Sequence, residues 1–392
     1  MRRWIFFPAL LVSGLFLHGQ ALRPDDSDPH YLAYNGRRVM LVGSGEHYGA
    51  VINKAFDYDT YLATLQRDGL NLVRIFTGTY FERQGAFNIE KNNLAPDSNQ
   101  LILPWQRSHI KGFTGGGNKF DLSQWDDEYF MRLRDFAGKA EKAGIFVEVT
   151  LFSSFYINDN FKLNPFYHHN NINATDSVPL KSFQTCNNGN ILHFQEQYTR
   201  KLVRELNPYS NVYFEIQNEP WFDLTDTAAS LRSVPNPYPF INDKDTLPVI
   251  EYPTPQSLEW QQRIAEFIID EERTLPSKHL IAQCYTNFYY PLDTVPGYVS
   301  IINFHYAFPS VVAANKQFKR PVIFDETGFC GTADSNYLKQ AIEFFRAGGA
   351  GFNHLDYSFS VDKPDGTDSY RAPGGGSPAL RKELAKLREN KW

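Results

Sequence analysis

Short apolar runs alternate with amphipathic segments along most of the chain. Eight runs are rich in β-branched and aromatic residues and are apolar almost throughout, as expected for parallel strands covered on both faces. The predicted strands are Arg38–Gly43, Leu70–Phe76, Ile145–Phe152, Asn211–Gln217, His279–Cys284, Val299–His305, Pro321–Glu326 and Gly349–Asp356. Apolar residues at helical spacing predict helices over 56–69, 127–144, 194–206, 257–275, 336–349 and 377–390.

The alternation of eight strands with helices predicts an α/β fold, a (β/α)8 TIM barrel formed as a single domain with long loops. Two doubly wound domains are the alternative, but no G-x-G-x-x-G motif follows the first predicted strand. Three long segments follow strands rather than precede them: Thr77–Trp125, Ser153–Asn190 and Glu219–Pro255. We expect these segments to form the C-terminal rim of the barrel, where barrel enzymes hold their active sites.

The N-terminus has the pattern of a secretory signal peptide. Two arginines, an apolar run from Trp4 to Leu17 and small residues up to Ala21 predict cleavage after residue 21 and a catalytic domain over 22–392. A membrane anchor is the alternative, but the run is shorter than the roughly 20 apolar residues that cross a bilayer. We therefore expect a secreted protein, extracellular or periplasmic, with no membrane contact after cleavage.

Composition narrows the range of partners. The net charge is −5 and no basic patch occurs, which argues against a nucleic-acid partner. Aromatic residues make up 15% of the chain, and we expect some of these rings to line a groove. The three cysteines, Cys186, Cys284 and Cys330, lack metal-binding spacing. The sequence allows one disulfide between two of them but does not decide whether it forms.

Two predicted strands end in a carboxylate. The run "NVYFEIQNEPW" ends in Asn218 and Glu219, and Pro220 prevents the chain from continuing as a strand. The run "RPVIFDETGF" places Glu326 at the end of the seventh strand. In a barrel both glutamates project into one cleft at the C-terminal face.

These motifs resemble those of the clan A glycoside hydrolases, the cellulase- and mannanase-like barrels typified by glycoside hydrolase family 5. "IQNEPW" and "VIFDETGF" resemble the ends of that clan's fourth and seventh strands, "NLVRI" its second and "NFHYAFP" its sixth. The resemblance implies that Glu219 is the acid/base and Glu326 the nucleophile. It also implies that Arg74 lies beside the nucleophile, with His305 and Tyr306 nearby.

The chemistry of glycoside hydrolysis is consistent with this assignment. One carboxyl group has to protonate the departing oxygen, and a second has to stabilise the oxocarbenium-like transition state from the other face. Glu326 has to stay ionised, which Arg74 and the Tyr306 hydroxyl favour, while Glu219 has to carry a proton at the start. Asn218 can donate to the sugar 2-hydroxyl. The reaction requires no metal or cofactor.

Other rim residues are candidates by position. His47 could bind a sugar hydroxyl or could be a hydrogen-bonded packing residue, and Trp221 is a natural stacking platform for a pyranose ring. Trp105 and Trp125 are weaker candidates because many tryptophans belong to the core.

The chain departs from the clan at two strand ends. The eighth strand is not followed by the tryptophan found in many clan members, and Asp356, Tyr357 or Phe359 could replace it. The third strand ends in "TLFSSF" rather than in the histidine often found there. The sequence therefore predicts a secreted retaining β-glycoside hydrolase that acts on a polysaccharide or oligosaccharide of undefined type. A catalytically silent, carbohydrate-binding barrel is the alternative.

Overall fold

The predicted (β/α)8 barrel is confirmed. The computed structural model describes residues 21–223, 225–227, 251–287, 291–328, 330–371, 374–390 and 392. At its centre eight parallel strands, β1–β8 in chain order, form a closed barrel in which β8 pairs with β1. The strands are β1 Leu41–Gly45, β2 Leu72–Phe76, β3 Phe146–Ser153, β4 Val212–Asn218, β5 Ile281–Asn287, β6 Ile301–His305, β7 Val322–Glu326 and β8 Gly351–Leu355.

Six helices of nine or more residues are present in the described chain, and each coincides with a predicted one. They are α1 Tyr58–Asp68, α2 Asp127–Lys142, α3 Ile191–Leu206, α4 Pro255–Glu272, α5 Asp334–Arg346 and α6 Pro378–Lys386. Shorter helices span Asn158–Phe161, Leu180–Phe183 and Ser310–Ala314, and 3₁₀ turns span Ala86–Asn88, Lys316–Phe318 and Leu387–Glu389. Each long helix buries the apolar face that its periodicity predicts.

Local signals fix several helix ends. The Asp57 side chain accepts hydrogen bonds from the first free backbone N–H groups of α1, and Gly69 ends that helix at φ +85°. The helices α4 and α6 begin with a proline directly after a capping Thr254 or Ser377. A cap of this kind stabilises a helix by about 1 kcal/mol.

The predicted first strand, Arg38–Gly43, is two elements rather than one. Arg37–Val39 belongs to a small antiparallel sheet with Arg23–Pro24 and Leu32–Tyr34, and the chain enters the barrel only at Leu41. Leu22 and Leu32 pack with side chains from the first residues of the barrel strands, Leu41, Leu72, Phe146, Ile281 and Ile301 among them. The small sheet therefore closes the N-terminal end of the barrel.

The long segment after β2 contains a β-hairpin that the sequence patterns do not predict. Its strands are Trp105–Lys111 and Asn118–Trp125. Trp105 is buried against Phe166 and Tyr198, and the half-buried Trp125 packs against Trp105. Both tryptophans therefore stabilise the base of the hairpin.

The described residues do not cover the predicted signal peptide. Residues 1–20 lie outside them, so cleavage after residue 21 stays a prediction. Within the described ranges no helix combines the length and apolar character that crossing a bilayer requires. Cys186, Cys284 and Cys330 all carry free thiols.

Candidate active site

The two predicted carboxylates meet at the C-terminal end of the barrel. Glu219 directly follows β4, and Glu326 is the last residue of β7, three strands further around the barrel. One carboxylate oxygen of Glu219, one of Glu326 and a ring nitrogen of His305 all lie within 4.8 Å of one another. Glu219 is 4% exposed and Glu326 8% exposed, so both carboxylates lie in a largely dehydrated pocket.

Three donors surround the Glu326 carboxylate. The Tyr306 hydroxyl donates to Oε1 at 2.6 Å, and Oε2 accepts from the Tyr48 hydroxyl at 3.0 Å and from Arg74 Nη1 at 3.1 Å. Burial alone would raise the pKa of Glu326, but the positive charges of His305 and Arg74 and the Tyr306 hydroxyl hold this pKa below its ordinary value. Glu326 is therefore ionised at neutral pH.

Arg74 connects the pocket to the barrel interior. Its guanidinium is fully buried in the middle of β2 and donates from Nε to Glu215 Oε2 at 3.1 Å and from Nη2 to Asn218 Oδ1 at 2.8 Å. The Asn218 amide nitrogen donates in turn to the Ser153 hydroxyl at 3.1 Å and to the Tyr156 hydroxyl at 2.8 Å. Arg74 therefore orients Asn218, whose amide hydrogens are engaged within the protein.

Each oxygen of Glu219 has a separate partner. The Tyr156 hydroxyl donates to Oε2 at 2.7 Å, and His305 Nδ1 lies 3.0 Å from Oε1. On the other side of the imidazole, His305 Nε2 lies 3.4 Å from Asp325 Oδ2. Burial alone would lower the pKa of His305, but Cys284, Asp325 and Glu326 outweigh burial and raise it well above its ordinary value. The imidazolium therefore lies between two acids.

Backbone strain is concentrated at this pocket. Four residues that are not glycine have a left-handed backbone here: Tyr48 at φ +53°, Tyr156 at +64°, Glu219 at +48° and Tyr306 at +49°. Each follows the end of a barrel strand, and each tyrosine donates to Glu219 or Glu326. A left-handed residue with a side chain costs about 1–2 kcal/mol, and strain of this kind is typical of functional sites.

His47 lies at the edge of the same pocket. Its Nε2 lies 3.5 Å from Glu82 Oε1, and its ring is 6.0 Å from that of Tyr357. Burial alone would lower the pKa of His47, but the carboxylates of Glu82 and Glu326 raise it. The His47 ring lies 5.5 Å from that of Tyr48, which donates to Glu326, so His47 is close to the predicted nucleophile. A role in sugar binding stays a prediction.

Trp221 does not have the exposure that a stacking platform needs. Its ring is fully buried and packs edge-to-face against His305, with 5.7 Å between the ring centroids. A buried ring has no face on which a sugar can stack. The prediction that Trp221 is a stacking platform is therefore wrong, and the residue has a packing role. Trp221 holds the imidazole that contacts Glu219.

The three candidates that follow β8 have different surroundings. Asp356 accepts from Arg381 at 2.8 Å, and Phe359 lies beneath the same guanidinium at 4.5 Å. Tyr357 lies towards the pocket, with its ring 6.0 Å from that of His47. Of the three, Tyr357 is therefore the candidate for a rim aromatic, and that role stays a prediction.

Sequence reasoning did not identify Tyr156, Glu215 or Asp325 as site residues. A signal was available for the two acids, because Glu215 interrupts and Asp325 ends an apolar run that is predicted to be buried. A buried carboxylate requires a partner, and the arginine within the second strand is the obvious one. No comparable signal marks Tyr156, which lies in the turn that follows β3.

Three groups of side chains have the donor atoms that a metal ion could use. They are Glu219–His305–Glu326, Glu148–Glu215–Asp325 and Glu215–Cys284–His305. In the first group every carboxylate oxygen is already hydrogen-bonded to a protein donor. In the second, the Asn303 amide nitrogen lies 2.6–3.2 Å from one oxygen of each carboxylate. Protein donors and the charge of Arg74 therefore serve most of these carboxylate oxygens, whereas the buried Asp325 Oδ1 has no hydrogen-bond partner among the described residues.

Comparison with solved structures shows the fold to be that of glycoside hydrolases. A Bacteroides vulgatus protein assigned to the glycoside hydrolases is similar with a TM-score of 0.62 and 14% identity over 96% of this chain. This chain spans 62% of the length of that protein. No protein-family model and no curated protein matches the sequence.

Two mannanases have the same barrel. The endo-1,4-β-mannanase of Rhizomucor miehei has a TM-score of 0.57 and 13% identity, with 95% of this chain and 98% of that chain covered. The endo-β-1,4-mannanase of Thermotoga petrophila has a TM-score of 0.53 and 13% identity, with 90% and 77% covered. The chain thus has a TIM barrel like those of the clan that its motifs resemble.

Proposed function

We propose that this chain is a retaining β-glycoside hydrolase in which Glu326 is the nucleophile and Glu219 the acid/base. The observation that carries the proposal is the approach of one oxygen of each carboxylate to within 4.8 Å of the other. Retaining enzymes hold their carboxyl groups at about 5–5.5 Å, whereas inverting enzymes need about 6.5–9.5 Å to admit a water molecule.

The surroundings of each carboxylate suit its role. Glu326 attacks the anomeric carbon as a carboxylate, and the charges and hydroxyl groups that lower its pKa keep it ionised. Glu219 gives a proton to the leaving oxygen, and in the second step it takes a proton from the water that releases the sugar. His305, at 3.0 Å, is the cationic neighbour that can return a proton to Glu219.

The substrate class in this proposal is a β-linked polysaccharide or oligosaccharide. Two of the similar structures are named as endo-β-1,4-mannanases, so β-mannan is the first polymer to test. Cellulose, xylan, galactan and β-glucan complete the panel. With its predicted signal peptide the protein acts outside the cytoplasm.

Replacement of the nucleophile tests the mechanism. Glu326→Ala is expected to abolish hydrolysis, and azide is expected to restore cleavage of an activated aryl glycoside by occupying the space of the lost carboxylate. The product is then a glycosyl azide of inverted configuration. The wild-type protein should release a sugar of retained configuration, which NMR detects before mutarotation.

Three outcomes contradict this proposal. Unchanged hydrolysis by Glu326→Ala removes Glu326 as the nucleophile, and a first product of inverted configuration removes the retaining mechanism. Binding of glycans without turnover across the whole panel favours the silent carbohydrate-binding barrel.

A further inference from the structure

An exposed aromatic patch lies beside the proposed acid/base. Eight large apolar side chains are exposed in the described part of the chain, and three of them adjoin Tyr156. Phe87 is 49% exposed with its ring 5.2 Å from that of Tyr156, and Phe222 is 42% exposed at 4.9 Å. Ile157, the next residue in the chain, is 58% exposed. Exposed apolar side chains that cluster in this way indicate a binding surface.

The patch is joined to Glu219 by the Tyr156 side chain. Its hydroxyl donates to Glu219 Oε2 at 2.7 Å, while its ring contacts Phe87 and Phe222. The hydrogen-bond donors around Glu326 are a different set, Tyr48, Tyr306 and Arg74. The aromatic patch therefore lies on the acid/base side of the pocket.

The backbone at the patch is unfavourable in two places. Phe87 has φ +53° and Tyr156 has φ +64°, both in the left-handed region that disfavours residues with a side chain. Phe87 in addition presents half of its ring to water. Strain and solvent exposure of an apolar ring at one position are expected where a ligand covers that ring.

We propose that Phe87, Tyr156 and Phe222 form the subsite for the leaving-group sugar, which stacks the apolar face of its ring on this patch. The inference rests on the proposed function, because only the acid/base contacts the oxygen of the departing sugar. Pyranose rings have a face of C–H groups that packs on aromatic rings, and the patch is continuous with the group that protonates the departing oxygen.

A pair of substrates separates this subsite from the rest of the active site. An oligosaccharide places a sugar on the patch, whereas the corresponding glycosyl fluoride departs as fluoride and leaves the patch empty. The measured quantity is the ratio of kcat/KM for the oligosaccharide to kcat/KM for the fluoride. Phe222→Ala and Phe87→Ala should each lower this ratio roughly 3- to 10-fold.

The same subsite should bind an acceptor sugar after the first step. The acceptor hydroxyl attacks the anomeric carbon, Glu219 takes its proton, and the Glu326 carboxylate leaves. With a glycosyl fluoride as donor and an oligosaccharide as acceptor, the ratio of transfer to hydrolysis should fall in Phe222→Ala. Phe222→Tyr, which keeps an aromatic ring, should restore the ratio.

Met131→Ala is the matched control, because Met131 is 56% exposed on α2, apart from the patch. It should leave both ratios at the wild-type value. An equal loss of activity on both substrates in the patch variants, or no change in the ratio, overturns the subsite while the proposed function stands. A wild-type protein that cleaves neither substrate overturns the proposed function and the subsite with it.

Discussion

Among single residues, Tyr306 is the most direct test of how Glu326 stays ionised. Its hydroxyl donates to Oε1 of Glu326 at 2.6 Å and stabilises the charged form. Tyr306→Phe should therefore raise the pKa of Glu326 and move the acidic limb of the kcat/KM profile to higher pH. A hydrogen bond to a charged group contributes about 1.5–3 kcal/mol, so the shift of the limb should be measurable and kcat/KM should fall most at acidic pH.

The control for Tyr306→Phe is Tyr209→Phe, a half-buried tyrosine just before β4 at the other end of the barrel. It should leave the pH profile unchanged. An unshifted acidic limb in Tyr306→Phe would show that the tyrosine does not control the ionisation of Glu326.

Asp325 is expected to act on Glu219 through His305. Its Oδ2 lies 3.4 Å from His305 Nε2 and favours the imidazolium, which in turn contacts Glu219. Asp325→Asn should lower the pKa of His305, because the neutral amide no longer stabilises the cation. The basic limb of the kcat profile should then move to lower pH.

A loss of activity that is equal at every pH would contradict this role for Asp325. Asp325 would then have only a structural role, together with Asn303 and Glu215. Far-UV and near-UV circular dichroism of the variant distinguish that outcome from a failure to fold.

At the scale of elements, Arg381 joins the first and last units of the barrel. From α6 its Nε donates to Asp68 at the end of α1 and its Nη1 to Asp356 after β8, both at 2.8 Å. All three side chains are almost fully buried. Arg381→Met should lower the free energy of unfolding by about 3–5 kcal/mol, because it leaves the buried Asp356 carboxylate without its cation and Asp68 with only the largely exposed Arg67.

Urea unfolding followed by tryptophan fluorescence measures the loss. Arg273→Met is the control, since its ion pair with Asp270 is exposed to solvent and such pairs contribute about 0–1 kcal/mol. Equal losses in the two variants would mean that the buried ion pair contributes no more than a surface pair.

The barrel elements follow from the sequence because each has a local signal. Apolar runs mark all eight strands, and Asp57, Thr254 and Ser377 mark helix starts. The split of Arg38–Gly43 is not visible in this way, because Met40 is apolar and the run reads as continuous. The hairpin that begins at Trp105 has register shifts that interrupt its alternation.

The site could be predicted in part for a related reason. Glu219 and Glu326 end strands, and barrel geometry alone brings strand ends together. The burial of Trp221 and the reach of Tyr156 depend on how loops pack over the rim. Such contacts join residues distant in sequence, and no local pattern encodes them.

For the molecule as a whole, His354 should make stability fall in mild acid. It is fully buried in β8, with Nδ1 2.7 Å from the Thr327 hydroxyl and its ring 4.4 Å from that of Tyr337. Burial lowers its pKa to about 4. Between pH 6.5 and 4 the unfolded chain binds a proton that the folded protein does not, so the free energy of unfolding falls as the pH falls.

The slope that one such proton contributes is about 1.4 kcal/mol per pH unit. Other buried groups act in the same range, because burial raises the pKa of Glu46 and of Asp223 to about 7. In these two carboxyls the folded protein keeps a proton that the unfolded chain has released, so they make stability fall as the pH rises. The measured slope is the sum of both effects, and only a difference between variants isolates His354.

His354→Gln should therefore reduce the slope of the unfolding free energy against pH between pH 4 and 6.5 by the contribution of one proton. The substitution should also lower stability at pH 7. Urea titrations at a series of pH values give the slope, and His193→Gln, at an exposed position on α3, is the control that should leave it unchanged. If His354→Gln keeps the wild-type slope, the buried imidazole is protonated in the folded protein and Thr327 accepts from it. The loss of stability in acid would then have to come from the carboxylates around Arg74, because their ion pairs with Arg74 are lost when they are protonated.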